Sequence, residues 1–421
     1  LLKTAIYTIL LSALLIGCNL YSGKPAEKPK EEDSLAYYPP TPAALPKSEF
    51  RRYHRELTTY FQEKLIKRGF NGGILVAKDG NIIYEKYVGR ADLRKDVAMN
   101  DSTSLHIASV GKTFTAVAIL RMVQDNKLSL NDTMSKFFPG FPYPDVTVKM
   151  LLNHRSGLPN YVYFIPNSKK WDQKTMVGNQ EVIDFLYNEQ PKKLFKAGTR
   201  FTYSNTNYLL LAAIIEKVSG QSFPEYMRNT IFLPLQMNHT FVYTPADSLT
   251  AIPSFNYNTT LWQNDNLENT YGDKNIYSTP RDMLKWDQAL YTDQLLNKAM
   301  LDSAFAPYSF EKPGTHNYGL GFRMLLLPNG KKVIYHFGRW HGFNAAFARL
   351  TDEKATVIIL GNKYTSSVYT AARGSYDIFG NYLKPGDSNE EEAEGLVKRQ
   401  QTPSPMTVSS TENSRTVAAK K

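Results

Sequence analysis

The sequence predicts an α/β protein of the α+β kind: one antiparallel sheet flanked by helices, built from both chain ends, with a mostly helical insert between them. Three observations predict it. Early in the chain, Gly73 to Ala77 and Ile82 to Glu85 are strand-like runs on either side of a turn signal, Lys78-Asp79-Gly80-Asn81. Late in the chain, strand patterns return over Gly319 to Leu327, Lys331 to Phe337, Ala345 to Leu350 and Thr356 to Leu360, with the hairpin signal Pro328-Asn329-Gly330 joining the first two. Between these groups, from Val148 to Leu290, helical spacing dominates.

The chain has 421 residues, 42% of them hydrophobic, enough for one large core or two domains. Lys3 precedes an apolar run from Ala5 to Ile16, which ends in Leu15-Ile16-Gly17-Cys18. A basic start, a short apolar stretch and small residues make residues 1–17 a secretory signal, too short for an ordinary membrane span. The Leu-Ile-Gly-Cys ending resembles a bacterial lipobox, which would make Cys18 the lipidated first residue of the mature chain; the plain alternative is a signal peptide with an incidental cysteine. Cys18 is the one cysteine, so no internal disulfide is possible. Residues 18–47 hold six prolines and mixed charge, and read as an extended tether. Glu49 to Lys67 has an apolar helical face (Phe50, Tyr53, Leu57, Phe61, Leu65). The folded unit runs over 48–385, its helical part over about 141–284. Residues 386–421 lack aromatics and read as a disordered tail.

The net charge is +11, but basic residues are interspersed with acids, which argues against nucleic-acid binding. Seven histidines show no metal-ligand spacing, and the cysteine lies at the predicted anchor, so neither a metal nor a cofactor is expected.

Chemistry is signalled at Ser109-x-x-Lys112. The run from Thr113 to Val123 is apolar at helical spacing, so Ser109 lies at or just inside a helix N-terminus and Lys112 follows one turn on. A serine hydroxyl needs a neighbour to take its proton, and a desolvated lysine can do so or can hold the group that does. A second Ser-x-x-Lys, Ser309 to Lys312, runs into Pro313-Gly314 and opens no helix.

Further along come Leu151-Leu152-Asn153-His154-Arg155-Ser156-Gly157-Leu158-Pro159, then Tyr203-Ser204-Asn205 (the one Tyr-x-Asn in the chain), then Asp273 to Thr279, then His336-Phe337-Gly338. In this order the motifs resemble those of the serine beta-lactamase-related hydrolases, a group that includes class C beta-lactamases, D-alanyl-D-alanine carboxypeptidases and esterases. The resemblance spans about residues 70–362. It implies a beta-lactamase/transpeptidase-like fold and an acyl-enzyme at Ser109, acting on an amide or ester in a bacterial envelope, with membrane attachment through Cys18. A carboxylesterase and a non-catalytic binding protein are the alternatives. The implied roles are Ser109 as nucleophile, Lys112 as its partner, and Tyr203 as proton carrier, its pKa lowered by the lysine. Asn205 would hold Lys112 and the substrate amide. His336 is expected to face the cleft and attract a carboxylate while protonated. Gly338 would let substrate approach the strand, and the backbone N–H of Arg339 would complete an oxyanion hole with that of Ser109. Phe337 stands where a threonine is frequent and offers no hydroxyl. His154 and the segment 273–279 read as scaffold.

Overall fold

The structure, a computed structural model, describes residues 42–168, 171–172 and 174–382. The signal segment, Cys18, most of the tether and the tail from 386 lie outside the described residues. Among those that are described, no helix is long and apolar enough to cross a membrane.

The described residues hold twelve strands: β1 (Gly72–Lys78), β2 (Asn81–Val88), β3 (Arg90–Asp92), β4 (Val97–Ala98), β5 (Leu105–His106), β6 (Phe241–Val242), β7 (Ile276–Ser278), β8 (His316–Tyr318), β9 (Arg323–Leu326), β10 (Lys332–Trp340), β11 (Phe343–Leu350) and β12 (Ala355–Gly361). Seven of them form one antiparallel sheet in the order β2-β1-β12-β11-β10-β9-β8. The two N-terminal strands thus complete a sheet begun by the C-terminal ones, as the sequence predicts. The central β11 and β12 are buried at every position, so both faces of the sheet are covered.

One face carries Ile74, Val76, Ala346, Ala348, Val357 and Ile359. It packs under α1 (Lys47–Lys64), whose Tyr53, Leu57 and Phe61 recur at helical spacing, and under the C-terminal α5 (Ser367–Gly374). The opposite face meets α4 (Pro280–Ala289), which begins with the Thr279 hydroxyl accepting the Asp282 N–H and with Pro280 in its first turn. Arg349 and Thr356, cross-strand neighbours on β11 and β12, both bond the buried Asp287 carboxylate of α4, the arginine Nε at 2.6 Å. Two further helices frame the site: α2 (Gly111–Gln124) and α3 (Asn205–Ser219), each largely buried.

The strand predicted over Gly319 to Leu327 is two strands. Gly321, at φ +93, turns the chain between β8 and β9, and a Cβ there would lie 2.2 Å from that of Ala116 on α2. Within the predicted loop 273–279, Ile276–Ser278 is a strand, sandwiched between β5 and β6 in a small second sheet. The described residues group as one compact unit, so the helical stretch does not separate into a domain of its own.

Candidate active site

Ser109 sits in a 3-10 turn, Ala108–Val110, that feeds directly into α2. Three contacts fix this turn. β5 is paired to β7, and the Ile107 N–H extends that pairing to Ile276 O at 2.9 Å. Buried His106 accepts the Ala108 N–H on Nδ1 at 3.0 Å. Ala108 itself has φ 49°, a left-handed conformation that costs an L-residue about 1–2 kcal/mol. From the other side Gly338 of β10 closes on the turn. A Cβ at 338 would lie 2.5 Å from Ile107 O and 2.8 Å from Ser109 N, so only glycine allows the strand this close.

Lys112 is fully buried one turn along. Its Nζ donates to Ser109 Oγ at 3.0 Å and to the backbone oxygen of Asp273 at 2.7 Å. Burial pulls its pKa down from 10.5 to about 7; the Asp273 carboxylate opposes the shift and the Arg323 charge adds to it. The segment 273–279 is therefore more than scaffold, since it supplies the carbonyl that aims the lysine. Asp273 is held in turn by the Tyr161 hydroxyl at 3.0 Å, which also accepts from Lys274 Nζ at 2.6 Å.

The Leu151–Pro159 motif positions Tyr203 and Asn205. Gly157, at φ +74, packs against Phe195 O, where a Cβ would lie 2.1 Å away. His154 O accepts the Thr202 N–H at 2.8 Å, its Nδ1 accepts the Ser204 N–H at 3.2 Å, and its ring lies 4.3 Å from that of Tyr203. The Asn160 side chain accepts the Asn205 N–H at 3.2 Å. His154 is buried and held well below its ordinary pKa by that burial, a neutral support as expected. Tyr203 presents its ring 5.0 Å from both Lys112 Nζ and the Arg323 guanidinium. Asn205 does not hold Lys112 as expected: its Oδ1 is buried and has no hydrogen-bond partner among the described residues, because the Asp273 carbonyl takes the lysine instead. Asn205 Oδ1 is an acceptor available to an N–H of bound substrate.

His336 departs from expectation. Strand alternation puts it on the same side of β10 as Gly338, but it is fully buried beneath Tyr318 and Tyr203 and does not line the cavity. Its Nε2 lies 3.3 Å from the Tyr318 hydroxyl. Burial, then Arg323 and Lys112, hold its pKa well below 6.5. It is a neutral strut and offers a substrate carboxylate no charge. Arg323 of β9, paired across from Tyr335 of β10, does line the cavity, as do Arg339 and Arg373.

Ser109, Tyr203, Asn205, Gly338 and Arg339 share one cavity of about 340 Å³. β9 pairs with β10 only as far as Tyr335, so the stretch of β10 from His336 to Trp340 lies beyond that pairing and passes Ser109. Sequence reading missed Arg323, Trp262, Tyr364, Tyr369 and Arg373, all of which line the cavity. The i, i+4 spacing of Tyr369 and Arg373 places them on one helix face, but nothing in the sequence aims that face at Ser109. At the rim, His341 Nε2 and a Glu268 carboxylate oxygen lie 2.5 Å apart in a hydrogen bond.

A serine at the mouth of a helix, a buried lysine bonded to it and an open cleft fit a serine hydrolase that works through an acyl-enzyme. Comparison with known proteins agrees. The Beta-lactamase family model matches residues 57–378, and the chain belongs to that family. A penicillin-binding protein of Bacillus subtilis (strain 168) is 35% identical over 335 residues, covering 76% of this chain and 74% of that protein. The teichoic acid D-alanine hydrolase of Staphylococcus aureus is 28% identical over 273 residues, covering 63% of this chain and 65% of that protein. Among solved structures, the penicillin-binding protein from Bacillus halodurans superposes with a TM-score of 0.66 at 25% identity, covering 77% of this chain and 99% of that one.

Proposed function

We propose that the protein removes D-amino-acyl groups, held as esters or amides, from components of the bacterial envelope. The observation that carries this reading is the fully buried Lys112 with its Nζ 3.0 Å from Ser109 Oγ and a pKa near 7. In its neutral form Lys112 takes the Ser109 proton as Oγ attacks the substrate carbonyl. The resulting oxyanion is met by the backbone N–H groups of Ser109 and Arg339. Tyr203 passes a proton to the departing alcohol or amine and regains one from the water that then attacks the acyl-enzyme, while Lys112 returns its proton to Ser109 Oγ as the acid leaves. Asn205 accepts an N–H of the bound acyl group.

The likeness to a teichoic acid D-alanine hydrolase supports a D-alanyl ester as the substrate. Phe337 supports an ester over a lactam: its ring packs 5.4 Å from that of Tyr369, and the strand gives a lactam carboxylate no hydroxyl at this position. The Leu-Ile-Gly-Cys ending supports attachment to the membrane through a lipidated Cys18.

Labelling with a fluorophosphonate and a labelled penicillin, side by side, tests the class. The phosphonate should label wild type and fail on Ser109→Ala, with penicillin labelling weak or absent. Labelling of a folded Ser109→Ala protein would refute the nucleophile, and strong penicillin labelling would favour a carboxypeptidase. Tyr203→Phe should slow acylation of a D-alanyl ester by about two to four orders of magnitude with little change in affinity; an unchanged rate leaves the whole proton path to Lys112. Cys18→Ser should move the protein from the detergent phase to the aqueous phase, whereas an aqueous wild type would remove the anchor.

A further inference from the structure

The oxyanion donors at Ser109 and Arg339 are backbone N–H groups, and each belongs to a peptide unit with a carbonyl at its other end. The Arg339 N–H and the Gly338 C=O share one planar trans unit and point in opposite directions. A group that grips the Gly338 oxygen therefore sets the direction of the Arg339 N–H. It also strengthens it, because hydrogen bonds in a chain polarise one another.

The Tyr369 hydroxyl is such a group. It donates to Gly338 O at 2.9 Å, and its other near oxygen is Asn344 Oδ1 at 3.3 Å. The Asn344 amide nitrogen donates to Gly342 O at 2.8 Å and to Lys363 O at 3.2 Å, which leaves its Oδ1 as the end facing Tyr369. Both neighbouring oxygens are acceptors, so the phenol proton points toward them, and the shorter contact is the one to Gly338.

Tyr369 is held in this place by the strand it acts on. It stands on α5, and its ring lies 5.4 Å from that of Phe337. Phe337 is braced in turn by the Tyr335 ring at 5.0 Å and the Arg373 guanidinium at 5.5 Å. Strand alternation puts Phe337 on the face of β10 opposite the one that Gly338 turns to the Ser109 turn. The tyrosine thus reaches the peptide unit from one face of the strand while the nucleophile lies on the other. A ring at position 337 gives Tyr369 a shelf that a threonine would not.

We propose that Tyr369 is a positioning residue for the oxyanion hole: its hydroxyl, bonded to Gly338 O, orients and polarises the peptide unit whose N–H at Arg339 meets the oxyanion. The inference rests on the acyl-enzyme reading above, with the Arg339 N–H in the hole, and deepens it.

The test is run on the full chain with two probes. D-alanine methyl ester reports turnover. Phenylboronic acid reports binding of a tetrahedral anion, since Ser109 Oγ adds to its boron. Tyr369→Phe keeps the ring and removes only the hydroxyl. Acylation and deacylation both pass through an oxyanion, so both should slow together. The expected result is a fall in kcat of about three- to tenfold, the worth of one hydrogen bond, with KM changed by less than about twofold. The boronic acid should bind more weakly by about the same factor as kcat falls. Loss of an oxyanion donor itself costs on the order of a hundredfold or more, so the smaller loss marks a residue that acts through that donor. Wild-type kcat and boronate affinity in Tyr369→Phe overturn the proposal. So does a loss confined to KM, the mark of a wall residue. So does a lower kcat with unchanged boronate affinity, which puts the hydroxyl at work on another step. Ser109→Ala tells the two readings apart. If it retains full turnover, the acyl-enzyme reading fails and the role of Tyr369 fails with it. If it is inactive while Tyr369→Phe matches wild type, the acyl-enzyme stands and the role of Tyr369 alone falls.

Discussion

Lys112 sets the chemistry by what surrounds it. Its burial is complete, its Nζ is shared between Ser109 Oγ and a carbonyl, and its pKa near 7 leaves much of it neutral at physiological pH. Protonation below that value removes the acceptor for the serine proton. The acylation rate of a neutral ester should therefore fall about tenfold per pH unit below 7 and level off above it. A flat profile from pH 5 to 8 would move the base elsewhere. The same burial fixes a sign for stability: between about 7 and 10.5 the unfolded chain holds the proton that the folded one has lost, so Lys112 makes stability rise with pH across that window. Gly338 acts by having no side chain. Gly338→Ala puts a methyl against Ile107 O and Ser109 N, and the turn must shift. Displacing a nucleophile by even about 1 Å is worth on the order of a hundredfold, which is the expected loss in fluorophosphonate labelling rate, with the far-ultraviolet spectrum of the fold retained. Labelling at the wild-type rate would show that the turn yields freely. Ser109, Lys112, Tyr203 and Gly338 were legible because each belongs to a short motif whose spacing is local and whose chain order is specific. Asp273 was not, because it acts through a backbone oxygen, which no residue type advertises. His336 was misread for a reason of depth: the right strand face was inferred, but the tyrosines that roof it belong to distant segments.

At the level of elements, strand signals at both chain ends sufficed to foresee the sheet, since β1, β11 and β12 are apolar runs with turn residues between them. Their order in the sheet was not foreseeable in detail, because β1 pairs with β12 across nearly the whole chain. The attachment of α4 to this sheet is an exception to its otherwise apolar packing. Arg349, 1% exposed, and Thr356 bind Asp287 from neighbouring strands, so three elements meet at one carboxylate. Removing one partner of a buried pair strands the other without water. Asp287→Ala should cost about 3–5 kcal/mol in urea unfolding, with Asp287→Asn milder because the amide still accepts from Thr356. A loss below about 1 kcal/mol would mean that water reaches Arg349.

At the scale of the whole molecule, the site is where the two kinds of structure are fastened together. β5 comes from before the nucleophile, while β6 and β7 come from 130 or more residues later, and these three make one small sheet. Lys112 on α2 bonds the residue 273 carbonyl, the turn at Gly321 presses on Ala116, and Gly338 presses on Ser109. The first of these contacts ties α2 to the helical stretch, and the other two tie α2 and the Ser109 turn to the large sheet. Chains of this size often unfold in steps, because a helical insert with its own core can melt separately. Here the contacts that would have to break first are those around Ser109. Calorimetry should therefore show one transition for residues 42–382, with calorimetric and van't Hoff enthalpies equal. A covalent adduct on Ser109 that also contacts Tyr203 and the edge of β10 bridges both parts in the folded state alone, so it should raise that single transition without splitting it. Two resolved transitions, with only one moved by the adduct, would show that the helical stretch folds independently and that the site is a joint between two bodies.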